Sequence, residues 1–307
     1  MLEQGHIAII TDDPGWHGKR LSEAFSARGY ACSMVTLTEC AFQLDGGASV
    51  LEIPGFYPQL PDGVFVRGIP GGSLEQVVFY LNVLHGLKQA DVKVYNDGRV
   101  IERTVDKALT SFLLLQAGIP TPPTWVYSNR EQAMHVARRQ LLDGCQLVFK
   151  PLFGSQGEGL QLIGDMDMLN TVDGHNGIYY FQRFIAPADG NCFDWRVFVI
   201  NGQAVAAARR SGIDWLNNVA QGGRCEPAVL NNSLSDLAEK AVRLLDMDYG
   251  GVDIISDAQG QLFVLEVNSV PAWRGLQKVC DFSVADSLVD DFIGKLEYKK
   301  QVQFAAI

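Results

Sequence analysis

The sequence predicts an α/β N-terminal domain built on a parallel sheet, followed by two α+β subdomains. Three observations predict it. Short apolar strands alternate with helical stretches through the first hundred residues, the pattern of a parallel sheet covered on both faces. Antiparallel strand signals take over towards the C-terminus. The chain has 307 residues, long for one compact core and enough for two or three lobes.

The elements follow in order. "HIAII" reads as a first buried strand, "HGKRLSEAFSARGY" as an amphipathic helix ending at Gly29, and "ACSMVTL" as the next strand. "DGVFVRGI" and "VKVYND" are strands on either side of "SLEQVVFYLNVLHGLKQA", whose apolar residues recur at helical spacing. In "RVIERTVDKALTSFLLLQAGIPTPPT" the pattern predicts a helix capped by Thr104, with Asp106 and Lys107 in its first turn. Gly118 ends that helix, and the prolines force an extended exit. "REQAMHVARRQLL" is a helix and "CQLVFKPL" a strand. "GIYYFQRFI", "DWRVFVING", "QAVAAARRS" and "GGVDIISDAQGQLFVLEVN" carry the antiparallel signals, with turns at Asn201-Gly202 and Ala258-Gln259. "SLSDLAEKAVRLLDM" is a helix opened by Ser233 or Ser235.

Composition removes several function classes. Hydrophobic residues at 47% and charged residues at 20% describe a soluble folded chain rather than a disordered one. No apolar run reaches the roughly 20 residues a bilayer requires. The N-terminus has neither a basic region nor a cleavable apolar stretch, so it does not read as a signal peptide. The six cysteines are scattered, with no CxxC pair and no closely spaced His, which predicts reduced thiols in a cytoplasm rather than a zinc site or disulfide framework. The net charge of −10 argues against nucleic-acid partners. An anionic ligand then needs Lys, Arg and metal ions to converge locally.

Three constellations meet that condition. In "QLVFKPLFGSQGEGLQLI" a strand ends at Lys150, and Gly154, Gly157 and Gly159 follow, letting backbone amides approach a phosphate. No GK[ST] pair follows, so it is not a P-loop. Alone the loop reads equally as a hairpin; the adjacent lysine favours phosphate. In "GGVDIISDAQGQLFVLEVN" the turn at Ala258-Gln259 pairs Asp257 with Gly260 and places Asp253 opposite Val264. Asp253 then faces the same way as Glu266 and Asn268, one diagonal step from Glu266. Two carboxylates and an amide oxygen on one face repel each other, and a hard divalent cation such as Mg²⁺ resolves the conflict; the alternative is a solvated sheet face. Arg196 and the pair Arg209-Arg210 lie on adjoining strands, and alternation lets only one of the pair enter a site with Arg196.

The motifs "DKALTSFLLLQAGIPTPPT", "LVFKPLFGSQGEG", "FQRFI", "DWRVFV", "NNVAQGG", "GGVDII" and "LEVNSVP" stand in the order seen in ATP-grasp ligases. Over roughly residues 98 to 295 the chain resembles the RimK-type α-L-glutamate ligases. The resemblance implies an ATP-grasp fold of two α+β subdomains behind the α/β domain. The expected division is an N-terminal domain over 1–97, a subdomain with the glycine-rich loop over 98–185, and one with the metal site over 186–307. It implies ATP between the two later subdomains, with Lys107, Lys150, Gly154, Ser155, Gln156 and Gly157 around the phosphates. Gln182, Arg183, Phe184 and Ile185 would lie beside adenine, with backbone groups of 183 to 185 reading its edge. Asp194 would hold the ribose, and Asn218 would lie near the triphosphate. Asp253, Glu266 and Asn268 match the ligands of two Mg²⁺ ions (Mn²⁺ being an alternative), with Glu266 bridging. Arg196 and, chosen on the resemblance alone, Arg210 would act in catalysis.

Two positions depart from the family. Arg183 stands where relatives often have Glu, and Leu216 where some have Arg. The implied activity is ATP-dependent joining of an amino acid, L-glutamate, to a small-molecule carboxylate acceptor through an acyl phosphate. "NSVPAWRGLQ" is similar to relatives acting in tetrahydromethanopterin-type coenzyme synthesis. The alternatives are a small-molecule kinase, a dipeptide or D-alanine-type ligase, and a nucleotide-binding module without turnover. No nucleic-acid or membrane partner is expected; the acceptor, the linkage (α or γ), the number of residues added and the oligomeric state, a homo-oligomer included, are left open.

Overall fold

The computed structural model describes residues 4–45, 49–154, 157–187, 192–212, 215 and 223–305. In chain order the elements begin with β1 (Gly5–Ile10), α1 (Gly15–Ala27), β2 (Tyr30–Val35), β3 (Ala41–Leu44), β4 (Ser49–Glu52), β5 (Gly63–Val66) and α2 (Leu74–Gln89). Next come β6 (Lys93–Tyr95), α3 (Gly98–Val105), α4 (Lys107–Gln116), β7 (Thr124–Tyr127), α5 (Arg130–Leu142), β8 (Leu147–Lys150), β9 (Gln161–Ile163) and α6 (Met166–Asn170). The remainder is β10 (Tyr179–Arg183), β11 (Phe193–Ile200), β12 (Gln203–Ser211), β13 (Arg224–Pro227), α7 (Asn232–Leu244), β14 (Tyr249–Ser256), β15 (Leu262–Asn268), α8 (Arg274–Gln277) and α9 (Val284–Ala305). No helix among the described residues is long and apolar enough to cross a membrane.

The chain packs as two units: one of residues 1–102, 247–249 and 269–307, the other of 103–246 and 250–268. The first unit is a parallel sheet in the order β2-β1-β5-β6. Ile7, Ala8, Ile9 and Ile10 have no solvent exposure, as a central parallel strand covered on both faces requires. One core gathers Ala8, Ile10, Val64 and Val66 with Leu84 and Leu87 of α2, a helix opened by a capping box between Ser73 and Gln76. Against Phe65 pack Phe25 of α1 and Phe292 of α9. A Cβ on Gly63 would lie 2.7 Å from the Phe292 ring, so α9 approaches the sheet only because this residue is glycine. Asn96 ties the returning segments to this unit: its amide donates to the carbonyls of Tyr249 (2.7 Å) and Ser269 (2.8 Å) and its oxygen accepts from Asp248 N–H (2.6 Å).

The second unit holds two antiparallel sheets, β7-β10-β8-β9 and β13-β12-β11-β14-β15. In the first, Phe149 and Phe181 pack with Ala133, Met134 and Ala137 of α5. The β11–β12 turn falls at Asn201-Gly202, both with positive φ (51° and 70°), as expected. Two helix starts differ from expectation. Asp106, not Thr104, caps α4, accepting from the amides of Ala108 and Leu109; Thr104 lies inside α3. Asn231, not a serine, caps α7 by accepting from Leu234 N–H. A carboxylate two residues downstream of Thr104 and an amide oxygen two residues upstream of Ser233 serve as well as a hydroxyl, so the residue type alone does not locate the cap.

Candidate active site

Strand β8 ends on Lys150, and β10 runs antiparallel beside it with Tyr180 directly opposite. Tyr180 and Gln182 are two apart on β10 and so face the same way as Lys150. The Lys150 ammonium, 8% exposed, donates to Gln182 Oε1 at 2.6 Å. Gln182 Nε2 donates to Thr124 Oγ1 (3.1 Å), and the Tyr180 hydroxyl bonds Ser111 Oγ (2.9 Å). Burial pushes the Lys150 ammonium down to about 8; Glu266 and Asp253 oppose that effect and Lys107 adds to it. Lys107, at the start of α4, donates to the Gly154 carbonyl at 2.7 Å. Burial lowers its pKa as well, against the pull of Glu266 and then Asp106. The two lysines therefore sit in the field of the same carboxylate.

The register of β14–β15 differs from expectation twice. The loop is one residue longer, closed by Asp257 N–H to Gln261 O (3.0 Å), with Gly260 at φ 81°, so Ile254 pairs with Val264. That shift alone would have turned Glu266 to the opposite face from Asp253. A bulge then adds Leu265, and Asp253 stands directly opposite Glu266, with Asn268 paired to Gly251. Two one-residue shifts cancel in parity, so the two acids share a face as the sequence predicts, but directly across rather than diagonally.

Arg210 is buried at 7% exposure, directly opposite Asp194 on the β11–β12 pair. It reaches Asp194 at 2.6 Å and Asp253 at 2.8 Å. Arg196 clasps Asp253 through Nε and, at 2.9 Å, through Nη2. Burial would raise the Asp253 carboxyl, but the two arginines outweigh it and hold it below the usual range. At Asp194 burial prevails and pushes the carboxyl up to about 6 despite Arg210. Arg209 points elsewhere, over the Phe193 ring at 4.1 Å, as strand alternation requires.

Among the described residues Glu266 makes no hydrogen bond or ion pair, and the buried Asn268 Nδ2 has no partner. Rotating that amide places its oxygen there, an acceptor that a cation would satisfy. Glu266 and Asn268, with the one acceptor position of Asp253 that the arginines leave, are a hard oxygen set suited to Mg²⁺.

The other expected residues fall as follows. Gln182 is 1% exposed and turned to Lys150. Of the backbone groups of 183 to 185 expected beside adenine, the N–H groups of Arg183 and Phe184 donate to the carbonyls of Pro123 (2.8 Å) and Gln146 (2.9 Å). The Arg183 guanidinium donates to Gln140 Oε1 at 2.7 Å, and Phe184 meets Trp215 edge-on at 6.4 Å. Ile185 follows, part-buried. Gly154 and Gly157 both have positive φ (139° and 79°), which favours glycine. Ser155, Gln156, Leu216 and Asn218 lie outside the described residues. The anchoring of Lys150 by Gln182 was missed; its signal was two polar-tipped residues, Tyr180 and Gln182, on one face of an otherwise apolar strand.

Residues 104–292 match the model of the RimK-like ATP-grasp domain. The tetrahydromethanopterin:alpha-L-glutamate ligase of Methanocaldococcus jannaschii is 36% identical over 241 residues, covering 76% of this chain and 79% of that one. The protein of the same name from Methanococcus maripaludis is 32% identical over 216 residues, covering 68% and 71%. Among solved structures, the ATP-grasp ligase PsnB, complexed with a precursor variant, Mg and ADP, superposes with a TM-score of 0.73 at 21% identity, covering 94% of this chain and 98% of that one; this likeness is one of fold.

Proposed function

The chain belongs to the RimK-like ATP-grasp family, whose members are ATP-dependent carbon–nitrogen ligases, and we propose that it joins L-glutamate to a small carboxylic acid. The observation that carries this reading is the grouping, within one unit, of Asp253 directly opposite Glu266 with two lysines in the field of Glu266, Lys150 and Lys107, of which Lys150 also feels Asp253. An acidic protein binds a triphosphate only where cations and metal ligands meet, and this grouping of lysines and carboxylates supports that reading.

Each residue has a role in positioning or charge stabilisation, which is most of what phosphoryl transfer asks of a protein. Lys150, held by Gln182, and Lys107, held by Gly154, bind nucleotide phosphates. Glu266, Asn268 and Asp253 would hold Mg²⁺, which supplies neutralisation of phosphate charge. Arg196 and Arg210 steady the charge that develops as the acceptor carboxylate takes the γ-phosphoryl group and as the amine displaces phosphate. Asp194, engaged by Arg210, orients that guanidinium, a role its geometry supports better than ribose binding. Adenine would be read by Ile185 and by carbonyl groups of the linker, since the preceding two N–H groups are spent.

Both relatives are named for tetrahydromethanopterin, which makes a pterin-type coenzyme the first acceptor to try. The test is ADP and phosphate release with L-glutamate and a panel of carboxylic acids, with the product weighed. Phosphorylated acceptor without amide would point to a kinase, and amide formation only with other amino acids to a different ligase.

A further inference from the structure

The segment "GIPTPPT" leads into β7, and its prolines do more than end a helix. Pro122 and Pro123 each hold φ near one value, which gives the Pro122 carbonyl a set direction at the start of the strand. Thr124, the first residue of β7, donates its hydroxyl to that carbonyl at 2.8 Å. A carbonyl oxygen only accepts, so the hydroxyl proton is committed there. Thr124 Oγ1 therefore faces its other neighbours with lone pairs alone.

Gln182 is paired directly with Thr124 in the β7–β10 register. Its amide meets Thr124 Oγ1 at 3.1 Å, and only the nitrogen end can donate to an oxygen whose own proton is engaged. The second hydrogen on Nε2 is directed at the Tyr180 hydroxyl, at 3.4 Å, which Ser111 of α4 holds in turn. The amide oxygen is left facing Lys150, whose ammonium has three donors and no acceptor. Reversing the amide would set its NH₂ group against the ammonium and its oxygen against the lone pairs of Thr124. Both contacts repel. Gln182 is buried, so each end of its amide depends on protein partners. The Tyr180 ring, 6.0 Å from the ammonium, is the other support of Lys150. All of these residues lie in the second unit.

We propose that Thr124 is a positioning residue for Lys150: its hydroxyl, held by the Pro122 carbonyl, fixes the Gln182 amide with its oxygen towards the ammonium, and so sets the lysine for the nucleotide phosphates. The work of Lys150 on phosphates rests on the ATP-binding reading above. The direction of the hydrogen-bond chain rests on its two ends, a carbonyl that only accepts and an ammonium that only donates. Thr124 acts through Gln182 and not on the nucleotide.

The test is calorimetric titration of ATP with Mg²⁺ into the parent chain, Thr124→Val, Thr124→Ser, Gln182→Met and the double variant Thr124→Val with Gln182→Met. Valine keeps the shape of threonine and removes the hydroxyl, whereas serine keeps the hydroxyl. Loss of one neutral hydrogen bond predicts ATP binding about three- to tenfold weaker in Thr124→Val. Thr124→Ser should stay within about twofold of the parent, and Thr124→Val should cost less than about twofold where Gln182 is already methionine. Parent-like affinity in Thr124→Val overturns the proposal. So does a loss of the same size with and without Gln182, which would make the effect one of strand β7 rather than of the amide. Equal losses in the serine and valine variants would show that the hydroxyl is not the working group. A parent that shows the predicted pattern but forms no amide with any acceptor leaves the positioning role standing and contradicts the ligase reading instead. A parent that binds no ATP contradicts both.

Discussion

The Lys150 ammonium donates to Gln182 Oε1 at 2.6 Å from a position 8% exposed. An acceptor favours the charged form of a buried lysine, so Gln182 fixes the place of Lys150 and supports its charge beside Glu266 and Asp253 against burial. Gln182→Met is expected to raise the KM for ATP about tenfold or more and to shift its pH profile downward. Steady-state kinetics across pH with ATP and GTP checks this. Altered base preference with an unmoved profile would return Gln182 to the adenine site.

Lys150 itself is expected to lose its charge at about 8 in the ligand-free protein. ATP affinity in the parent should fall as pH rises past that value, and Lys150→Ala should bind ATP roughly ten- to a hundredfold more weakly at neutral pH, without that dependence. Titration calorimetry at several pH values measures both. The stability sign is also fixed: the folded pKa is lowered, so the unfolded chain binds the extra proton between about 8 and 10.5, and stability rises with pH through that window.

Much of this site was legible in the sequence, and what was not has local causes. The apolar runs and turn residues revealed the parallel sheet, α5 and the Asn201-Gly202 hairpin, because burial and φ > 0 constrain residue type strongly. The bulge at Leu265 left no such mark, since a leucine suits either a paired or a bulged position. The shared face of Asp253 and Glu266 emerged because an unseen bulge offset an unseen third turn residue. The contact between Gln182 and Lys150 was not legible because the two lie 32 residues apart on different strands, and only the β8–β10 register brings them together.

Arg210 and Arg209 are adjacent in sequence and opposite in consequence. Arg210→Met leaves Asp194 and Asp253 buried with less compensation and should destabilise the fold by roughly 3–5 kcal/mol. Arg209→Met should cost little, since the Arg209 side chain is 40% exposed. Chemical denaturation of the two variants checks the difference, and equal midpoints would show that Asp194 and Asp253 do not depend on Arg210.

His17 makes stability depend on acid. Burial, then Arg67 and Arg274, push its imidazole down to about 4 from 6.5. The unfolded chain therefore binds the extra proton in that window, and the stability present above 6.5 is lost as pH falls towards 4. His17→Gln keeps an acceptor for Trp273 N–H without titrating, so its melting temperature should fall less steeply over this range than that of the parent. Parallel melting curves would contradict the neutral imidazole.

Glu266 carries the claim on which the ligase reading depends, that a metal-held triphosphate is used to make an amide. The measurement is L-glutamate-dependent conversion of ATP to ADP and phosphate, with the acceptor weighed before and after, in the parent and in a folded Glu266→Gln protein. The account predicts an acceptor heavier by one glutamyl residue for each ADP formed by the parent, and no turnover in the variant with its circular dichroism unchanged. Full activity in Glu266→Gln, or ATP consumption that never yields an amide, would contradict it.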